Sequence, residues 1–134
     1  MRMVCIATLM AVAAPGYAQG PQLHGRILSK EGTISARQWR LGVHNAGPAA
    51  VDGVTIRAIR FTGSGPNAGP SCTPVVKHPT LPVSLGSVAA GASASQVVTI
   101  DFTGCSNAAR FTVEVDLAGS NGATGTIKRS NEYR

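Results

Sequence analysis

Between Phe111 and Leu117 apolar and polar residues alternate without a break. Phe111, Val113, Val115 and Leu117 fall on one side, and Thr112, Glu114 and Asp116 on the other. A two-residue period buries one face only in a β-strand, where successive side chains point to opposite faces. Val98, Ile100 and Phe102 alternate against Thr99 and Asp101 in the same way, and Trp39, Leu41 and Val43 against Arg40, Gly42 and His44. Such one-sided strands belong to antiparallel sheets with one dry and one wet face. No window carries the 3.6-residue stripe of a packed helix.

Weaker strand signals fill the gaps. Leu23–Ser29 and Ala123–Lys128 read as edge or terminal strands, and Leu85–Val88 as a short one. Val54–Phe61 changes phase: Val54, Ile56 and Ala58 share one face, Ile59 and Phe61 the other, as a bulge or a change of sheet requires. Pro74–Pro82 carries three prolines and is expected at an edge or in a crossing segment, because proline cannot donate to a central ladder. Turn residues separate the runs at Asn45–Pro48, Asp52–Gly53, Gly63–Pro70, Thr103–Asn107 and Ser120–Gly122. The pattern predicts an all-β, immunoglobulin-like antiparallel β-sandwich of about seven strands, in one domain over residues 19–134. Many of the glycines and prolines fall at its turns. Charged residues are only 13% of the chain, about half the usual ~25%, which excludes a coiled coil or a charged disordered tail. Leu, Ile, Val and Phe make up about 22% of residues 19–134, so the core is thin.

Residues 1–18 read as a cleaved signal peptide. Arg2 precedes an uncharged run from Val4 to Ala14, and Gly16 and Ala18 stand at the −3 and −1 positions of a cleavage site. A buried N-terminal helix is the alternative. The run is too short to span a membrane, which takes about 20 apolar residues, and no transmembrane segment is expected in the mature chain. Export to the periplasm, the cell surface or the medium follows. Removal of Cys5 leaves Cys72 and Cys105, which in an oxidising compartment pair as a disulfide stapling a loop. Two free thiols are the alternative.

Few residues offer chemistry. His24, His44 and His78 are scattered, none at ligand spacing from another, so no metal site and no cofactor is expected. Asp116, Asn121 and Glu132 are the nearest approach to a calcium set, without the ordered series of an EF-hand loop. There is no G-x-S-x-G elbow. Glu114 and Asp116 share a strand face about 7 Å apart, but a flat wet face does nothing to tune them for acid–base work. The chain reads as a non-enzyme.

The formal charge is +6. Arg40, Arg57 and Arg60 lie on expected strands; if they align on one sheet they form a basic stripe able to hold an acidic glycan or an acidic protein. Arginines on outer faces also serve simply to keep a sheet wet and its edges unpaired. Nucleic acid is not an expected partner, since export separates the two and aromatic residues for base stacking are missing.

Several turns resemble those of the bacterial cell-adhesion-related Ig-like domains, the CARDB group. Trp39–Val43 followed by Asn45-Ala46-Gly47 is similar to that family's strand and N-x-G turn. Leu85–Ser93 resembles its small-residue turn, Phe111–Asp116 its penultimate strand, and Asn121 with Ile127–Glu132 its closing strand. The resemblance implies a β-sandwich, a role in adhesion or scaffolding, and no catalytic residues. The expected function is therefore a small exported binding or scaffolding module. The alternative is a secreted inhibitor that presents the Gly/Pro-rich loop 63–74.

Overall fold

A computed structural model describes residues 22–64 and 72–134. The expected signal peptide, and most of the loop assigned to an inhibitor, lie outside these residues. Eight strands form: β1 (Leu23–Gly32), β2 (Arg37–Asn45), β3 (Val51–Ser64), β4 (Val75–His78), β5 (Val83–Val88), β6 (Ser93–Asp101), β7 (Arg110–Ala118) and β8 (Thr124–Glu132). They make two four-stranded sheets, β1-β2-β6-β4 and β5-β3-β7-β8, with every pairing antiparallel. In chain order the first sheet holds the A, B, E and D positions of an immunoglobulin sandwich, and β3, β7 and β8 hold C, F and G. The eighth strand, β5, is added outside β3. The expected sandwich is therefore present, with the proline-flanked segment supplying the edge strand β4.

Alternation decides which face each strand buries. Trp39, Leu41 and Val43 from β2, Val98 and Ile100 from β6, and Phe111, Val113, Val115 and Leu117 from β7 are all buried. The phase change in β3 is a bulge: Ile56 pairs with Leu117 and Ala58 with Asp116, leaving Arg57 as the extra residue. It lets Ile56 point inward and also Ile59 and Phe61, which pack against the core. Trp39, Phe61, Phe102 and Phe111 gather near one end with ring centroids 5.7–6.1 Å apart. Rings at such spacings contribute roughly 0.5–1.5 kcal/mol per pair beyond the area they bury.

The two ends are held differently. At the aromatic end Cys72, ahead of β4, is disulfide-bonded to Cys105 in the β6–β7 loop, with Cα atoms 4.7 Å apart. At the other end Asn45 is wholly buried, the polar member of an otherwise apolar interior among the described residues. Its Nδ2 donates to Ala49 O at 2.8 Å and Val88 O at 3.0 Å, and its Oδ1 accepts from Gly47 N at 2.9 Å. One side chain thus ties the β2–β3 turn to the end of β5. Along one flank β1 and β8 close the gap between the sheets. Gln22 N donates to Thr124 O at 3.1 Å, and Gly125 is needed because a Cβ there would collide with the carbonyl of Leu23.

Candidate functional site

The connection from β2 to β3 passes from one sheet to the other, so the three arginines expected to form a stripe are separated. Arg40 lies on the outer face of β1-β2-β6-β4, whereas Arg57 and Arg60 lie on the outer face of β5-β3-β7-β8. No single stripe forms from them. On the second sheet Arg60 is already engaged by acids, whereas Arg57 has no acid within ion-pair distance among the described residues. Arg60 donates two hydrogen bonds to the Asp116 carboxylate at 2.8 and 2.9 Å and reaches Glu114 at 3.4 Å. The bonds from Arg60, then its charge and that of Arg57, hold the Asp116 carboxyl below the usual aspartate range. Glu114 and Asp116 are thus spent on an exposed ion pair, the kind that contributes little to stability.

The sign of the pH effect follows. A depressed carboxyl favours the folded state above its unfolded pKa of about 3.9, and that contribution is lost as pH falls through the folded value. In Arg60→Ala, the Asp116 carboxyl followed by NMR titration is expected to move up towards the ordinary aspartate range, because the hydrogen bonds that hold it down are gone. The acid limb of unfolding should shift only slightly, because the pair is exposed.

The outer face of the first sheet is different. Register places His24 opposite His44, Arg26 opposite Gly42, and Ser29 opposite Arg40. Across β2, His44 pairs with Ser93 and Gly42 with Ser95. Gly42 stands on this face of an interior strand without a side chain, and it is buried. Leu28, the bulge residue of β1, lies over it: a Cβ on Gly42 would come within 2.8 Å of the Leu28 methyl. The result is a solvent-open trough of about 660 Å³ lined by His24, Arg26, Leu28, His44, Ser93 and Ser95 around Gly42. His44 Nδ1 is hydrogen-bonded to Ser93 Oγ at 2.9 Å, and Arg40 donates to Ser95 Oγ at 3.2 Å. No aspartate or glutamate lines it. Among the described residues, neither Arg26 nor Arg40 has an acid within ion-pair distance.

This geometry suits an anion. Guanidinium groups present forked donors to carboxylate, sulfate or phosphate, the serine hydroxyls add further donors, and Leu28 offers a small apolar rim. Linear spacing could not reveal the trough, because its residues come from three strands and Leu28 folds over Gly42 from the neighbouring one. A strand glycine flanked by outward arginine and histidine was the available signal.

Other expected residues do not assemble. Asp116 and Asn121 lie towards the β7–β8 turn, whereas Glu132 pairs with Phe111 at the far end of the sheet and is bound to Lys30 at 2.5 Å. Asn121 instead takes positive φ, 58°, in the turn at Ser120–Gly122. Among the described residues no three His, Cys, Asp or Glu side chains gather as a metal site, and no helix is long and apolar enough to cross a membrane.

No protein-family model matches the chain, and no curated protein does. The resemblance to the cell-adhesion-related domains therefore remains one of turn motifs. A solved structure that matches is the archaellum periplasmic stator protein complex FlaF and FlaG from Sulfolobus acidocaldarius. It shares 18% sequence identity, covers 90% of this chain and 100% of its own, and superposes with a TM-score of 0.41. A likeness at that score carries no argument for function.

Proposed function

We propose that the chain is an exported, non-catalytic immunoglobulin-like module that binds an acidic glycan or protein through the trough on β1, β2 and β6. The observation that carries this reading is the contrast between the two outer faces: Arg60 is bound by Glu114 and Asp116, while Arg26 and Arg40 face solvent beside a trough without acids. Unpaired cations around a depression concentrate negative ligands, whereas an arginine already paired with acids has less to offer one. The signal-peptide pattern of residues 1–18 supports export, and the Cys72–Cys105 bridge fits an oxidising compartment. The turn motifs shared with cell-adhesion-related domains favour a scaffolding or adhesive role at the envelope or beyond it.

Calorimetric titration with heparin and with a polyglutamate peptide tests the reading. The double variant Arg26→Ala/Arg40→Ala should lose at least about tenfold in affinity, or about 1.4 kcal/mol, while Arg57→Ala/Arg60→Ala should change it little. Binding by the parent should weaken steeply with added salt. Binding that ignores both salt and the first pair of substitutions, or the absence of binding to either probe, would contradict the proposal.

A further inference from the structure

The register of β1 and β2 sets His24 directly opposite His44, both exposed and both on the wall of the same trough. Directly opposed residues in an antiparallel pair have Cβ atoms roughly 4.5–5.5 Å apart. Imidazoles on such a pair can converge on one ion, because metal–nitrogen bonds of about 2.0 Å bring two ring nitrogens to roughly 3 Å from each other. The second observation is the Ser93 hydroxyl, 2.9 Å from His44 Nδ1. When one ring nitrogen is engaged by a hydrogen bond, the other is the one left for metal. With Nδ1 held by Ser93, Nε2 is the ring nitrogen of His44 left for a metal. From this we infer that His24 and His44 form a two-histidine chelate for a late first-row transition ion, with Cu²⁺ held most tightly. The remaining coordination positions fall to water or to an oxygen of a bound ligand.

The neighbouring charges sharpen the selectivity. Arg26 and Arg40 share this face and repel any cation. An ion held mainly by charge, such as Ca²⁺ or Mg²⁺, gains nothing from neutral nitrogens to offset that repulsion. Imidazole suits copper, nickel and zinc, and Cu²⁺ leads the affinity order. This site goes beyond the acid-binding reading and does not depend on it. The arginines carry the one and oppose the other.

The test is titration of the full mature chain with Cu²⁺ alone, followed by calorimetry and by electron paramagnetic resonance. One ion per chain is expected at this site, with hyperfine structure from two imidazole nitrogens. His24→Ala and His44→Ala should each weaken binding at least tenfold, because chelation falls to a single ligand. Ser93→Ala should weaken it about tenfold, as loss of an orienting partner does. His78→Ala, on β4, should leave it unchanged, and Arg26→Ala/Arg40→Ala should leave it unchanged or tighten it. All these side chains are exposed or only partly enclosed, and unchanged melting temperatures of the metal-free variants establish that each is folded. Absence of Cu²⁺ binding tighter than about 1 mM, or affinity that survives either histidine substitution, overturns the inference. Loss of acid binding in the arginine variant with Cu²⁺ binding intact would separate the two sites experimentally.

Discussion

The double variant Cys72→Ala/Cys105→Ala is expected to lose about 3.5–4 kcal/mol of unfolding free energy in the chain-entropy account of a disulfide. The two cysteines are 33 residues apart, and a bridge of that span removes a large share of the freedom of the unfolded chain. Folded domains retain only about 5–15 kcal/mol in all, so the loss could leave a thin-cored sandwich like this one near its threshold. The bridge also has a native-state role. Cys105 is buried, and Cys72 packs against the same apolar cluster beside Phe61 and Phe111. Urea denaturation of the oxidised parent and the double variant measures the difference directly. A loss below about 1 kcal/mol would mean that the β6–β7 loop is held by its apolar packing and not by the bridge.

Asn45→Ala is expected to cost about 3 kcal/mol, because it removes one buried and two partly buried hydrogen bonds. The carbonyls of Ala49 and Val88 lose their donor, and the amide of Gly47 loses its acceptor. Each buried group left unsatisfied costs roughly 1–3 kcal/mol, with partial relief where the turn can open to water. Asn45→Asp should be at least as damaging: it keeps the acceptor but removes both donated bonds and places a carboxylate among carbonyl oxygens. The folded fraction of each variant, followed by urea melts at pH 7, checks the order. If Asn45→Ala is within about 0.5 kcal/mol of the parent, the side chain is not the pin between the turn and β5.

Most of the fold was legible in the sequence because a half-buried strand writes its orientation into alternate residues. Trp39, Leu41 and Val43, and Phe111 to Leu117, point inward as their alternation requires. Even the phase change between Ile56 and Ile59 carried the bulge at Arg57. The strand left out of the expected seven was β4, which is only four residues long and flanked by prolines, so that Pro74–Pro82 read as an edge or crossing segment; β5 was legible in part, as Leu85–Val88. The role of Asn45 was legible only as a turn signal; that its side chain is buried depends on β5 arriving from the other side. The site was less legible. Whether two arginines share a surface depends on which sheet each strand joins, and β2 and β3 join different ones. His24 and His44 are 20 positions apart and meet only through strand pairing.

The most direct test of the acid-binding face is a map of amide shifts in a ¹⁵N-labelled mature chain titrated with polyglutamate or heparin at low salt. The proposal predicts that saturable changes cluster at His24, Arg26, Gly42, His44, Ser93 and Ser95, with Arg57, Arg60, Glu114 and Asp116 still. Changes centred on Arg57 and Arg60, or spread evenly over both sheets, would contradict it.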